Sequence, residues 1–328
     1  MKHYIIFLTM LTFIACNNNK INKENSNNIV ADNIKLPDFN EDSALAYVKS
    51  QVDFGPRVPN TKSHEACSKY LVDKLKSFCE NVIIQKANLR AYDGTTLKSK
   101  NIIASFNIKN PHRILLCAHW DSRPYADHDA NPMNHKIPVM GANDGASGVG
   151  ILLEVARQLN ISKQPVGVDI IFFDAEDYGA TQDVQGNTED SWCLGTQYWA
   201  KNPHVANYKA KFGILLDMVG AQDPTFYMEG TSTYYAPDIT KQVWDVANNL
   251  GFQKYFSYTP SGAVTDDHLY INRIIKIPTI DIIHQNQEGG FYEHWHTVND
   301  TFDKINKISL KVVGQVLLAV ITNEKQPA

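Results

Sequence analysis

The chain has 328 residues, of which 43% are hydrophobic and 20% are charged, and its formal net charge at pH 7 is −4. This length and hydrophobic content are sufficient to bury a substantial core in one large domain or two small ones. The charge is scattered, with no block of Lys and Arg interleaved with aromatic residues, which argues against a nucleic-acid-binding or membrane-surface protein.

The N-terminus has the features of a targeting segment. Lys2 and His3 precede an apolar run over residues 4–15, which is too short to span a membrane and ends at Cys16. This pattern resembles a bacterial lipoprotein signal. The resemblance implies that residues 1–15 are a signal peptide and that lipid is attached to Cys16. Plain secretion is the alternative, because the residues before the cysteine match the lipoprotein pattern loosely.

Residues 16–35 are rich in Asn and Lys and contain few large apolar groups, so we predict a disordered tether. The folded domain is expected to occupy residues 36–328. Asn17 is not an acidic retention signal, which by analogy favours an outer-membrane anchor. We therefore expect an exported protein that is lipid-anchored in the bacterial cell envelope, faces the periplasm and touches the membrane only through Cys16.

The predicted elements alternate between helices and strands. In chain order they are helices over 42–52 and 63–78, strands over 81–89, 101–108 and 113–118, a helix over 146–159, a strand over 166–173, a polar loop over 179–191, a helix over 195–201, a strand over 212–219, a helix over 238–250, a strand over 276–283, and a closing helix that Ser309 caps and that runs to Thr322. This alternation predicts an α/β fold: a single domain with a central mixed, mainly parallel twisted sheet covered by helices on both faces.

The strand over 166–173 is the predicted centre of the sheet. Its apolar run reads as a strand buried on both faces, and it ends in Asp174, Glu176 and Asp177. Open α/β sheets bind their ligands at the C-terminal ends of the strands. Acids crowded at this position repel one another unless a cation or shared protons compensate.

Other polar side chains are predicted to reach the same edge of the sheet. They are His119 and Asp121 after the strand over 113–118, Asp144 before the helix over 146–159, Asp217 at the end of an apolar run, and His294 and His296 after the last strand. Taken singly, each has a structural explanation, such as a helix cap or a hydrogen-bonded core histidine. Their common placement favours a metal site. Carboxylates with imidazole and no thiolate suit zinc, and three protein ligands leave a position open for catalysis.

Six ordered motifs carry a family resemblance. They are CAHWDS at 117–122, GANDGASG at 141–148, FFDAED at 172–177, LLDMVGA at 215–221, TDDHL at 265–269 and EHWHTVNDT at 293–301. Together they resemble the glutaminyl cyclases, which are glutaminyl-peptide cyclotransferases built on the zinc-aminopeptidase fold of peptidase family M28. The resemblance spans the chain from about Leu36 to its end and implies a zinc-exopeptidase-like, phosphorylase/hydrolase-like fold.

The resemblance assigns roles residue by residue. It implies one Zn²⁺ per chain held by Asp144, Asp177 and His296, with Glu176 as the general base and acid, Asp217 and Asp266 as a hydrogen-bonded acid network beside it, and Trp295, Phe291 and Trp192 as the wall of the substrate pocket. The implied substrates are peptides or proteins with an N-terminal Gln. We expect no nucleic-acid partner and a monomeric chain. The chain has Asp281 at a position where the animal glutaminyl cyclases carry a histidine.

Two alternatives stay open. A two-zinc aminopeptidase would use the same positions, with His119 and Asp217 holding a second metal and Asp144 as the bridge. Asp177, the Asp266-Asp267-His268 run and the Trp295-His296 pair favour the cyclase. A non-catalytic binding lipoprotein would predict broken catalytic positions, whereas every metal and base position here holds a suitable residue.

The remaining cysteines are Cys67, Cys79, Cys117 and Cys193. An exported protein can oxidise its thiols, but the chain has no CxxC pair, and the sequence does not determine which cysteines pair or whether any do.

Overall fold

The structure is a computed structural model that describes Met1 and residues 36–324, except Lys163 and Asn187. The predicted signal peptide, Cys16 and the tether therefore lie outside the described residues. Residues 36–324 belong to one compact unit. Among the described residues, no helix has both the length and the apolar character needed to cross a membrane.

Eight strands are present in the described part of the chain. They are β1 (Val82–Arg90), β2 (Thr96–Phe106), β3 (Arg113–His119), β4 (Gly167–Phe173), β5 (Gly213–Asp217), β6 (Phe226–Met228), β7 (Phe256–Pro260) and β8 (Thr279–Ile283). Six of them form one sheet in the order β1-β2-β4-β3-β5-β8, and β6 pairs with β7 separately. Strands β4, β3, β5 and β8 run parallel, whereas β1 and β2 add an antiparallel edge. The prediction of a mixed, mainly parallel sheet is confirmed.

The helices are α1 (Glu41–Val52), α2 (Lys62–Lys76), α3 (Ala146–Ile161), α4 (Leu194–Lys201), α5 (Gly230–Tyr235), α6 (Pro237–Asn249), α7 (Asp267–Tyr270) and α8 (Lys307–Asn323). A turn of π-helix, Ile271–Ile275, continues α7. Alternate residues of the central strands point to opposite layers. Ile114 and Leu116 of β3 pack into the main core with α3 and α8, while Leu115 and Cys117 pack into a second core with Trp199 of α4. The sheet is therefore covered on both faces.

The register of the parallel strands positions the polar residues. His119 at the end of β3 is level with Phe173 at the end of β4, and Asp217 is the last residue of the neighbouring strand β5. Every residue of β4 is buried. The chain therefore leaves the core at one edge, and the carboxylates that follow β4 lie beside the imidazole that ends β3.

Several predicted boundaries were wrong. Strand β8 begins at Thr279 instead of 276, because a turn of π-helix runs to Ile275, and β5 ends at Asp217 instead of 219. Strand β2 begins at Thr96 instead of 101, because a turn at Asp93 and Gly94 (φ +87°) joins it tightly to β1 as a hairpin. Helix α8 is capped by Asn306, whose side chain accepts a hydrogen bond from the Ile308 amide. Ser309 lies inside that helix, and its hydroxyl donates to the Ala221 carbonyl at 2.7 Å.

The four cysteines of the described region, Cys67, Cys79, Cys117 and Cys193, are buried free thiols. A small free thiol often occupies a buried site as an apolar side chain. None of the four therefore serves as a disulfide staple in this structure.

Candidate active site

Three buried side chains meet at the C-terminal edge of the sheet. Asp144 lies in the loop before α3, Asp177 follows β4, and His296 follows β8. The His296 Nε2 atom is 3.0 Å from Asp177 Oδ1 and 3.5 Å from Asp144 Oδ2. All three residues are at most 3% exposed. The structure therefore brings together the three residues predicted to hold zinc.

The donor set fits a cation. Neither oxygen of Asp177 nor Oδ2 of Asp144 accepts a hydrogen bond from any described group, although all three atoms are buried. Burial, together with the neighbouring Asp144 carboxylate, raises the pKa of Asp177 well above its usual value. Unpaired buried carboxylate oxygens are destabilising unless a cation or a proton compensates them. Two carboxylates and one imidazole are a ligand set that Zn²⁺ takes in catalytic sites, with a coordination position left for substrate.

Two buried carboxylates fix the loops that carry the metal ligands. Asp121 accepts hydrogen bonds from the backbone amides of Glu176 and Asp177 at 3.1 and 3.2 Å. Asp300 accepts from the amides of Asn143 and Asp144 at 2.8 and 3.1 Å. Each carboxylate thus holds two successive backbone N–H groups. One residue of each pair, Asp177 or Asp144, is a predicted zinc ligand, so these hydrogen bonds orient the loop that carries it.

A second cluster shares Asp144 with the first. His119 Nε2 lies 3.0 Å from Asp144 Oδ1 and 3.2 Å from Asp217 Oδ1. Gly145 permits this approach, because a Cβ atom there would lie 2.6 Å from His119 Nε2. Burial and the Asp144 charge raise the pKa of Asp217 to about 7. The geometry of the two-metal alternative is therefore present, and the ligand inventory alone does not separate the alternatives.

Glu176 stands beside the metal ligands and faces the pocket. Its side chain is 12% exposed, and its Oε2 atom is 3.9 Å from His119 Nδ1. Burial raises the pKa of Glu176 well above its usual value, with His119 opposing and Asp266 reinforcing the shift. Ala175, with φ +55°, sets the turn that precedes it. A carboxyl group with a raised pKa can both accept and return a proton near neutral pH.

A buried acid network lies behind Glu176. Asp266 is 4% exposed, and Asp281 and His268 are fully buried. Burial raises the pKa of Asp281, and the neighbouring Asp266 reinforces the shift. Adjacent buried carboxyls cannot all ionise, so they hold protons between them. Asp281 therefore belongs to the network predicted for Asp217 and Asp266.

Glu229 anchors the segment that carries Asp266. Its carboxylate accepts hydrogen bonds from the backbone amides of Thr231, Ser232 and Val264 at 2.6 to 2.7 Å, and it lies 3.1 Å from His268 Nε2. Burial opposes the ionisation of Glu229, but these hydrogen bonds prevail and lower its pKa to about 2. Glu229 is therefore an ionised buried carboxylate that connects α5, the loop before α7 and His268.

The predicted aromatic residues line a cavity of about 350 Å³ above the metal ligands. Its wall contains Trp192, Phe291 and Trp295, together with Glu176, Asp217 and Asp266. The ring of Trp295 stacks on His296 with centroids 3.9 Å apart, and the ring of Trp192 is parallel to His296 at 5.9 Å. A pocket of this size, with aromatic residues and carboxyl groups in its wall, suits one polar side chain of a peptide.

Arg123 fixes Trp192 and the turn after β4. Its guanidinium lies 4.5 Å from the Trp192 ring and donates to the carbonyls of Asp177 and Gly179 at 2.9 and 2.8 Å. It also forms a bidentate ion pair with Asp127, whose Oδ1 atom is 3.7 Å from His296 Nδ1. One buried cation thus connects the pocket wall with two metal ligands.

The structure brings most of the predicted site residues together, with one exception, and adds supporting residues that the sequence did not indicate. His294 does not join the metal ligands; it lines a neighbouring cavity and lies 3.5 Å from Glu293. The residues that were missed are Arg123, Glu229, Cys193 and Asp300, whose contacts with the site depend on long-range packing. For Asp300, its place four residues after His296 in the EHWHTVNDT motif was the available signal.

Comparisons with known proteins agree with the motifs. Residues 101–321 match peptidase family M28. The crystal structure of Bacteroides thetaiotaomicron glutaminyl cyclase bound to N-acetylhistamine is 55% identical, with a TM-score of 0.87, and the match covers 89% of this chain and 100% of that chain. A Zn-dependent exopeptidase from Parabacteroides distasonis is 54% identical, with a TM-score of 0.87, over 88% of this chain and 100% of that chain.

The more distant relatives include both glutaminyl-peptide cyclotransferases and an aminopeptidase. Glutaminyl-peptide cyclotransferase from Drosophila melanogaster is 27% identical over 76% of this chain and 72% of its own length. Aminopeptidase YwaD from Bacillus subtilis is also 27% identical, over 74% of this chain, and the chain spans about half (49%) of that protein's length. The chain therefore belongs to peptidase family M28, and it resembles the bacterial glutaminyl cyclases, as its motifs predicted.

Proposed function

We propose that this protein is a zinc-dependent glutaminyl-peptide cyclotransferase, which converts an N-terminal Gln of peptides or proteins to pyroglutamate and releases ammonia. The observation that carries the proposal is the position of Glu176, whose largely enclosed carboxyl lies between the cluster of Asp144, Asp177 and His296 and an aromatic-walled cavity. The similarity to bacterial glutaminyl cyclases over their full length supports it.

The residues of the site suit an intramolecular attack. A zinc ion held by Asp144, Asp177 and His296 would supply Lewis-acid polarisation of the γ-amide carbonyl. Glu176 accepts a proton from the substrate α-amine, which then attacks the γ-carbon of the same residue. Glu176 returns the proton to the departing amide nitrogen, and ammonia leaves. Because the amine and the amide belong to one residue, the enzyme only has to hold a folded conformer.

The aromatic wall has a chemical role in this proposal. Water attacking the same γ-carbon would produce an N-terminal Glu instead of a pyroglutamyl ring. Trp192, Phe291 and Trp295 border the cavity and exclude water from the reacting carbon when a glutamine side chain fills it. The acid network with Asp217 and Asp266 holds protons next to Glu176.

A two-zinc aminopeptidase is the second candidate, because Asp144 lies between two clusters. His119 and Asp217 would hold the second metal, with Asp144 as the bridging ligand. We infer one zinc per chain from the resemblance to the glutaminyl cyclases, although His119 Nε2 lies 3.0 Å from Asp144 Oδ1 and 3.2 Å from Asp217 Oδ1.

Mass spectrometry of a Gln-Xaa-Xaa peptide incubated with the purified protein, with and without a zinc chelator, tests the proposal. We expect a chelator-sensitive loss of one ammonia from an intact peptide. Free glutamine and a shortened peptide would identify an aminopeptidase instead.

Glu176→Gln should fold and bind zinc but lose turnover by about 10²- to 10⁴-fold. Glu65→Gln is the matched control, because Glu65 lies on exposed surface with a side chain 73% exposed.

The location of the enzyme is part of the proposal. The apolar run over residues 4–15 and the following Cys16 support export and lipid attachment at Cys16. We further propose that the domain faces the periplasm and is a monomer. Radiolabelled palmitate incorporation into the full chain, compared with Cys16→Ser, tests it. Label that persists in the variant would contradict attachment at Cys16.

A further inference from the structure

Cys193 makes a contact with Glu176 that the mechanism above does not use. Its Sγ atom is 3.2 Å from Glu176 Oε1, with the thiol donating to the carboxylate. Cys193 is fully buried, and its backbone lies in the left-handed region with φ +55°. A cysteine in this conformation is strained, so a surrounding structure must hold it there.

The backbone around Cys193 is joined to the turn that carries Glu176. The Cys193 amide donates to the Glu176 carbonyl, and the Leu194 amide donates to the Ala175 carbonyl, each at 3.0 Å. Gly195 lets α4 approach this turn, because a Cβ atom there would lie 2.0 Å from the Asp174 carbonyl oxygen. The start of α4 is thus docked on the Glu176 turn through both backbone and side chain.

We propose that Cys193 is a positioning residue for the general base: its thiol holds Glu176 Oε1 and leaves Oε2 to take the proton of the substrate amine. This inference rests on the proposed function of Glu176. The free oxygen, Oε2, is 3.9 Å from His119 Nδ1. One oxygen fixed by a donor restricts the rotation of the carboxyl group, so the other keeps one direction towards the reacting atoms.

The thiol suits this role because it remains a donor. Burial raises the pKa of the Cys193 thiol well above its usual value, and the neighbouring Glu176 charge reinforces the shift. A thiol is a weak hydrogen-bond donor, so it orients the carboxylate without strongly lowering its basicity. A Lys or Arg at this position would hold Glu176 in its charged form.

Substitutions of Cys193 and Glu176 test the inference in the zinc-loaded protein with a Gln-Xaa-Xaa peptide. Cys193→Ala and Cys193→Gly remove the donor, and glycine also fits the left-handed backbone. We expect kcat to fall about tenfold in both, with KM and zinc content unchanged. Cys193→Ser keeps a donor in a side chain of similar shape, and its kcat should stay within about threefold of that of the unchanged protein.

Cys117→Ala is the matched control. Cys117 is also fully buried, but its thiol points to the Ile214 carbonyl at 3.7 Å and not to the site. This variant should keep its kcat. A kcat within twofold of the unchanged protein in folded Cys193→Ala or Cys193→Gly would overturn the inference. If neither folds, Cys193→Ser decides: a tenfold loss there overturns it, and near-normal turnover supports it.

The two proposals fail in different ways. Retained turnover in Glu176→Gln refutes the role of Glu176 itself. Loss of turnover in Glu176→Gln combined with normal turnover in Cys193→Ala refutes only the positioning role of the thiol.

Discussion

Asp300 offers the sharpest test of how the metal ligands are held. Its carboxylate accepts hydrogen bonds from the amides of Asn143 and Asp144 and from the hydroxyl of Tyr292, at 2.8, 3.1 and 2.9 Å. Asp300 is fully buried, and the three donors belong to residues that are at most 8% exposed. We predict that substitution of Asp300 weakens both folding and zinc binding, although Asp300 does not itself reach the metal position.

The magnitude follows from the donors left without a partner. A buried donor that loses its acceptor destabilises the fold by about 1–3 kcal/mol. Asp300→Ala leaves three such donors without an acceptor, so we expect a loss of about 3–9 kcal/mol, which is a large part of the ~5–15 kcal/mol available to a typical domain. Asp300→Asn keeps one oxygen and should lose about 1–3 kcal/mol. Zinc affinity should fall about 10- to 100-fold in Asp300→Asn, because the Asp144 loop is no longer fixed.

Urea unfolding of the metal-free protein measures the first effect, and competition with a chromophoric chelator measures the second. Asp303→Asn is the matched control, since Asp303 lies in the same segment with a side chain 70% exposed. The control should change the free energy of unfolding by less than about 0.5 kcal/mol. Asp300→Asn with the stability and zinc affinity of the unchanged protein would refute the assigned role of Asp300.

Three further predictions concern other parts of the site. The pKa of Glu229 is about 2 in the folded state against a usual 4.5, so its ionised form stabilises the fold above about pH 4.5, and this contribution is lost as the pH falls towards 2. Urea unfolding across this window should show an acid-induced loss about 3 kcal/mol larger in the unchanged protein than in Glu229→Gln, and equal losses would contradict it. Trp192→Ala should raise KM and the fraction of N-terminal Glu among the products, measured by mass spectrometry; an unchanged product ratio would argue against water exclusion. His119→Ala should keep one zinc per chain by atomic absorption, whereas a fall from two to one would indicate the two-metal site.

The layout of the sheet could be predicted because its signals are local. Strand β4 was identified by an apolar run followed by acidic residues, and β5 by an apolar run that ends in Asp217. The residues at strand ends then follow from the geometry of parallel sheets, which is why Asp177 and Asp217 were placed correctly. The short elements β6, β7, α5 and α7 were not predicted, because segments of three to six residues carry too little periodicity.

The supports of the site could not be predicted for a different reason. Asp300 and Asp144 are separated by 156 positions, and Cys193 and Glu176 by 17, so neither pair leaves a local pattern. Ser309 shows the converse error, since a residue type that often caps helices lies inside α8, where its hydroxyl bonds to Ala221. A side chain's type indicates what it can bind, while the fold decides which partner it meets.

The segment after β8 joins three functions in ten residues. Phe291 and Trp295 line the pocket and His296 is a candidate metal ligand. Asp300 accepts hydrogen bonds from Tyr292 and from the Asp144 loop. A metal bound between His296 and Asp144 therefore connects two loops that Asp300 already holds together. Metal binding and hydrogen bonding stabilise the same arrangement, so the free energy of one supports the other. The pocket wall therefore lies in the same segment as the candidate metal ligand and its hydrogen-bonded support, so a change that loosens one is expected to disturb the other.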